Sequence, residues 1–261
     1  MQQCPPELIA LGHELADAVH PIITQYFRRD NGIEIKDDAT PVTLADRAIE
    51  QLWRDIIMEK RPDDGIWGEE FGRYKTDAEY QWIFDPIDGT KAFTLGRPSF
   101  GCLIGLYHVT QGFILGLCYQ PITKDRWVGA LGYPTTYNGD VLPQRQNPPA
   151  GAPLRAAFTN PMRFQDGLTR CHDALIEQRA VIAYGGDCLN FASIASGLVD
   201  ISAENKQSIY DIACFVPILQ GVGACISELD GTPIGLDMKQ VMIAAATPEL
   251  HQRFLRIAAG Q

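Results

Sequence analysis

The sequence predicts two lobes: an N-terminal α+β half with a mostly antiparallel sheet under two helices, residues 1–145, and a C-terminal α/β half, residues 146–261. Three observations lead there. Short β-rich runs crowd residues 65–130 with little but Gly, Pro and Asp between them, as antiparallel neighbours require. From residue 154 onward, strand-like and helix-like stretches alternate, the pattern of an α/β unit. Between them lies "LPQRQNPPAGAP", 142–153, where Pro and Gly accumulate and apolar residues nearly vanish.

The opening "ELIALGHELADAVHPIITQYFRR" carries Leu8, Leu11, Leu15, Ala18, Val19, Ile22 and Ile23 near the 3.6-residue period, so a helix is expected, kinked or split at Pro21. "NGIEIKDDATPVT" is polar and turn-forming. A second helix runs from Leu44 to Lys60, with Thr43 as N-cap, Asp46 three residues on and Pro62 just past its end. Leu44, Ala48, Leu52 and Ile56 are its expected apolar face. "GIWGEE", "YQWIFDP", "FGCLIGLYHV", "GFILGLCYQP" and "RWVGAL" follow as strands. The second half reads as strand "LRAAFTN", helix 164–177, strand "AVIAYG", helix "CLNFASIASG", strand "VDISAE" and one helix over 211–224. Strands near 225–229 and at "VMIAAA" and a helix over 248–258 complete it.

Composition excludes several partner classes. The 22 basic and 32 acidic residues leave a net charge of −10. That sign argues against nucleic acid and against an anionic membrane surface, both of which need a basic patch. No stretch approaches the roughly 20 apolar residues of a membrane span, and "MQQCPPELIA" lacks a basic start and apolar signal core. Seven cysteines are scattered, never as C-x-x-C, and most sit in apolar surroundings. They read as reduced, buried thiols of a cytoplasmic protein.

The chemistry is concentrated in "WIFDPIDGTKAF", 82–93. Pro86 should end regular pairing after Phe84, Asp88-Gly89 favours a tight turn, and "GTKAF" can begin a helix. Asp85 and Asp88 then converge across one bend. Convergent carboxylates repel unless protonated or neutralised, and Mg²⁺, which prefers hard oxygen ligands, is the natural neutraliser. An N-cap plus a turn would use the same residues. Glu69 in "GEE", Asp46 in "VTLAD" and Asp211 in "IYDIA" also stand at element boundaries, each a cap or a functional carboxylate.

"GEE", "WIFDPIDGTKAF" and "YDIACFVPILQGVGACISELDG", in that order, resemble the Mg²⁺-dependent inositol monophosphatase family, over about Lys36 to Ala246. "GRPSFGCLIGL", "QPITKDRWVG" and "YGGDCLNFASIASGLVD" are most similar to its histidinol-phosphate phosphatase branch. The resemblance implies a layered αβαβα sandwich of the sugar phosphatase type, two or three Mg²⁺ ions with Mn²⁺ able to substitute, and commonly a homodimer. It assigns the metal ions to Glu69, Asp85, the carbonyl of Ile87, Asp88 and Asp211. Asp46 and Thr90 match the pair that orients the attacking water, with Glu69 beside them in the catalytic set. Two divalent ions about 4 Å apart suit attack on a phosphate monoester, where charge repulsion and a poor leaving group set the barrier.

Substrate contacts are expected from the N–H groups of Gly89 and Thr90, from Lys91, and from Gly185, Gly186, Asp187 and Glu204. Gly185 and Gly186 allow close backbone approach. Asp187 and Glu204 would suit a cationic amine or imidazole, or hydroxyls of a polyol. Lys36 precedes a loop that could approach the metals. Ser208-Ile209 stands where that branch commonly has Lys-Pro, so contacts from this loop are open. The leading expectation is hydrolysis of histidinol phosphate to histidinol and phosphate. Inositol 1-phosphate, a related sugar phosphate or a nucleotide 3′-phosphate are alternatives, and a metal- or phosphate-binding regulator is the non-enzymatic one.

Overall fold

The opening segment forms two helices, α1 (Pro6–Ala18) and α2 (His20–Tyr26), with Pro21 in the first turn of the second, where a missing N–H costs nothing. The computed structural model describes residues 3–29, 32, 34–35, 41–205 and 207–261. Lys36 lies outside the described residues. Within the segment read only as turn-forming, β1 (Glu34–Ile35) and β2 (Pro41–Val42) pair antiparallel. Helix α3 (Leu44–Lys60) starts at Thr43, whose hydroxyl accepts from Ala45 N and whose backbone N–H donates to Asp46 Oδ2 at 2.9 Å.

The buried face of α3 differs from the expected one. Ala45, Ile49, Trp53 and Ile57 are buried and Leu44 is exposed. Two adjacent apolar stripes compete on this helix, and the one carrying Trp53 wins: its indole is fully buried and donates to Leu15 O at 2.8 Å. Asp46, Glu50 and Arg54, at i, i+4 and i+8, form a buried polar ridge beside it.

The first sheet has eight strands in the order β10-β9-β8-β7-β6-β5-β3-β4. They are β3 (Gly65–Gly68), β4 (Gly72–Tyr74), β5 (Tyr80–Asp88), β6 (Gly101–His108), β7 (Gly112–Gln120), β8 (Asp125–Ala130), β9 (Thr136–Tyr137) and β10 (Asp140–Val141). Every pair is antiparallel except β3 with β5. β5 does not stop at Phe84 as expected. Asp85 pairs with Leu103 and Asp88 with Gly101, so Pro86 and Ile87 stand against Cys102 alone. This bulge absorbs the proline's missing donor and turns both aspartates to one side of the strand end.

The second sheet has the order β12-β11-β13-β15-β14, built from β11 (Arg155–Phe158), β12 (Val181–Tyr184), β13 (Ile201–Asn205), β14 (Cys225–Glu228) and β15 (Val241–Ala245). β11 is parallel to β12 and β13, and β15 is antiparallel to β13 and β14, so the sheet is mixed. The remaining helices are α4 (Thr90–Thr94), α5 (Asp166–Glu177), α6 (Leu189–Ala195), α7 (Ile209–Ile212), which packs on β5 and β6 of the first sheet, α8 (Phe215–Gly221) and α9 (Pro248–Ala258). The single helix expected over 211–224 is thus two, because Pro217 has no N–H to bond Ala213 O and fits only the first turn of a new helix.

Five layers result. α1–α3 cover one face of the eight-stranded sheet around Leu15, Trp53, Trp82 and Phe84. α6 and α8 fill the space between the sheets, packing Phe191, Phe215 and Ile218 against Leu103 and Met242. α5 and α9 close the outer face through Leu175, Phe254 and Ile243. Helix α8 lies flat on the first sheet because β7 is bare at Gly116, where a Cβ would come within 1.8 Å of Cys214 O. Six of the seven free cysteines are buried, as small core residues.

Candidate metal and phosphate site

The C-terminal ends of β5, β11, β12 and β13 open onto one cleft, of about 1000 Å³ including its solvent-open mouth. In sheets with parallel strands this is where ligands collect, because the connections diverge beyond the carboxyl ends. The β5 bulge delivers Asp85, whose Oδ1 accepts Ile87 N at 3.0 Å, and Asp88, whose Oδ2 accepts Cys188 N at 2.5 Å. The second contact joins residues 100 positions apart and ties the end of β5 to the start of α6. Asp211 arrives on the first turn of α7, where Ser208 N donates to its Oδ2 at 2.6 Å.

Ligand atoms of Asp85, Asp88 and Asp211 all lie within 4.8 Å of one another. Burial raises Asp85 and Asp88 well above the usual carboxylate range, and neighbouring carboxylates raise them further: Glu69, Asp88 and Asp211 around Asp85, Asp187 and Asp211 around Asp88. Asp85 and Asp211 come within hydrogen-bond reach of each other. Such a cluster is stable only with shared protons or a cation. An all-oxygen donor set of this charge fits a hard divalent ion, and the fit extends to Glu69 and Ile87, which line the same cleft.

Gly89 has φ 91°, and a Cβ there would approach Ser99 O to 2.9 Å and Asp187 Oδ2 to 3.1 Å. Only glycine fits this link between β5 and α4. Thr90 Oγ1 donates to Ile87 O at 3.0 Å. Lys91 is exposed on the rim, and its charge lowers Asp187 against the larger effect of burial, which lifts that group to about 6. Glu204 is buried at the end of β13, where Oε1 accepts Thr159 N at 2.5 Å; burial lifts it to about 7 despite that bond.

Three expected residues stand back from the lining. Gly185 and Gly186, with φ 83° and 116°, carry the chain from β12 to Asp187, itself at φ 45°. Asp46 is buried at the start of α3 with one oxygen engaged by Thr43; among the described residues its Oδ1 has no hydrogen-bond partner. Burial lifts Asp46 to about 7, helped by Glu70 and Glu69 and opposed by Thr43. The cleft is also lined by Thr159, Asn160, Arg163, Asn205, Gln207, Ser208 and Tyr210, of which sequence reasoning singled out only Ser208. Their signal was position: most follow the ends of β11 and β13.

Histidines are spent elsewhere. His251 meets Ser227 Oγ at 2.9 Å in the core and His108 meets Glu79 Oε1 at 3.0 Å. Among the described residues no helix is long and apolar enough to cross a membrane.

Comparison with known proteins supplies the context. The sequence model of the inositol monophosphatase family matches residues 5–260. The chain is 38% identical over 256 residues to the chloroplastic bifunctional phosphatase IMPL2 of Arabidopsis thaliana, spanning 96% of this chain and 70% of the relative. It is 35% identical over 207 residues to a histidinol-phosphatase of Mycobacterium tuberculosis, spanning 77% of this chain and 79% of the relative. A solved inositol monophosphatase from Zymomonas mobilis superposes with TM-score 0.85 at 37% identity, over 97% of this chain and 98% of that one.

Proposed function

The chain belongs to the inositol monophosphatase family of metal-dependent phosphatases, and on that premise we propose that it hydrolyses histidinol phosphate to histidinol and phosphate. The observation that carries this reading is the pair of carboxylates, Asp187 and Glu204, lining the same cleft as the Asp85–Asp88–Asp211 cluster. Beside a phosphate site, two acidic side chains suit a leaving group that bears an ammonium or imidazolium.

Asp85, Asp88 and Asp211, with Glu69 and the carbonyl of Ile87, would hold Mg²⁺, two or three ions, with Mn²⁺ as a substitute. Bound there, the metal supplies Lewis-acid polarisation of the phosphoryl oxygens and lowers the pKa of water. The protein's own groups position the reactants. Gly89 and Thr90 present backbone N–H groups to phosphate, and Lys91 adds charge at the rim. Thr90 Oγ1, which donates to Ile87 O, keeps lone pairs with which it would accept from the attacking water. Asp46, buried with one oxygen unpartnered among the described residues, serves as the second member of that pair.

A polyol leaving group is the second reading. With a pKa near 7, Glu204 can donate to or accept from a hydroxyl, and Asn160 and Ser208 offer further polar contacts. We take the protein as a cytoplasmic homodimer, divided near residues 145–146, that acts on a small phosphate ester and binds neither nucleic acid nor membrane. A phosphate-release screen with Mg²⁺ over histidinol phosphate, inositol phosphates, sugar phosphates and 3′,5′-bisphosphonucleosides tests the reading. The highest kcat/KM should fall on histidinol phosphate; a preference for inositol 1-phosphate supports the second reading, and no release from any ester sinks both.

A further inference from the structure

Beneath the loop that carries Glu69 lies a carboxylate with no part in the chemistry described so far. β3 and β4 are joined by Glu69, Glu70 and Phe71, and the hairpin closes at Gly72, with φ 68°. Glu50, fully buried on α3, reaches under it. Its Oε2 accepts Glu70 N at 2.6 Å and its Oε1 accepts Phe71 N at 3.1 Å. Arg54, one helical turn on, donates Nε to Glu50 Oε1 at 2.8 Å and Nη2 to Gly72 O, and its guanidinium stands 5.8 Å from the Phe71 ring centroid. Gly68 makes room: a Cβ there would fall 1.9 Å from Glu50 Oε1.

We propose that Glu50 is a positioning residue, clamping the Glu69–Phe71 loop so that Glu69 is presented to the metal site. The inference rests on the reading of Glu69 as a metal ligand. The physical argument concerns loop entropy. Fixing a residue's backbone costs roughly 1–2 kcal/mol, and while Glu69 N is tied to Phe84 O at 3.2 Å, the amides of Glu70 and Phe71 are held from beneath by Glu50. Without the clamp, cation binding would bear that cost. With it, two charge-assisted bonds from consecutive amides hold the loop in place beforehand. Arg54 neutralises a carboxylate that would otherwise be an unpaired buried charge, and fixes the loop's far end at Gly72. Asp46, four residues before Glu50 on the same ridge, faces Glu69 and Glu70 electrostatically, so α3 supports both the loop and the catalytic pair.

The test is Mn²⁺ binding by calorimetry, without substrate, on the full chain, with hydrogen exchange of the Glu70 and Phe71 amides alongside. Glu50→Gln keeps the shape but loses the charge and one acceptor. Mn²⁺ affinity should fall at least ~10-fold, as for groups supporting metal ligands, and exchange at both amides should accelerate. Asp64→Asn is the control for general loss of stability, since Asp64 pairs with Arg61 and Trp82; it should keep parental Mn²⁺ affinity. Folded Glu50→Gln with parental affinity overturns the clamp. If that variant does not fold, Gly68→Ala and Arg54→Met decide in the same way: weaker Mn²⁺ binding supports the clamp and parental binding overturns it. Failure of the parent chain to bind Mn²⁺ would instead overturn the metal-site reading.

Discussion

Replacing Glu204 by Gln should change the pH dependence of stability by a calculable amount. Burial moves this carboxyl from its ordinary 4.5 to about 7, overriding the bonds from Thr159 and Asn190. The folded state therefore holds the proton more tightly than the unfolded one. Across the window from 4.5 to about 7 the folded chain carries up to one proton more. Stability is greatest below that window and falls as pH rises through it, by ~1.4 kcal/mol per pH unit at most. Summed between pH 5 and pH 8, the loss is ~2–3 kcal/mol. Glutamine cannot titrate, so E204Q escapes it. Urea denaturation with EDTA present, at both pH values, reads the difference between parent and variant. That difference should shift toward the variant by ~2 kcal/mol or more on going to pH 8. An unchanged difference would mean Glu204 is hydrated in solution, and the closed, low-dielectric floor of the cleft would be wrong.

Asp88→Asn should reduce Mg²⁺-supported turnover more than ~100-fold, beyond what loss of a mere supporting group costs, while circular dichroism stays parental because the amide oxygen can still accept Cys188 N; activity near the parent's would remove Asp88 from the site. Asp187→Ala should raise KM for histidinol phosphate by ~10-fold or more, the cost of a charge-assisted bond, and affect inositol 1-phosphate less. Equal losses on the two esters would deny it a selective role. Sign also fixes the pH profile: Asp187, lifted to about 6, ionises as pH rises. KM for a cationic substrate should therefore fall through that region, and D187A should flatten the fall.

Local rules carried much of the fold. The cap at Thr43, the split at Pro21 and the turn at Asp88-Gly89 depend on a few neighbouring residues, and the structure has all three. Burial of Cys102, Cys118 and Cys214 followed from their apolar flanks, whereas Cys4, Cys171 and Cys188, each with a polar residue beside it, are buried by tertiary packing. What failed was decided at long range. Two apolar stripes on α3 are equivalent in pattern, and the choice between them depended on a Trp53 bond to Leu15 in another helix. Pro86 ended the strand on paper, but β6 continued alongside and took up the irregularity as a bulge. Arg163 and Asn160 enter the cleft because β11 runs parallel to its neighbours, which a strand-by-strand reading does not reveal. Nothing in the sequence distinguishes Glu50 from other helix glutamates, since the hairpin that buries it begins 15 residues later in the chain.

Everything in the mechanism depends on carboxylates of β5 and α7 gathering around divalent cations. A crystal of the chain soaked with Mn²⁺ and measured at the manganese absorption edge tests that directly. Anomalous density should appear between Asp85, Asp88 and Asp211, with Glu69 at its margin. Density elsewhere, or none at saturating Mn²⁺, would contradict the account.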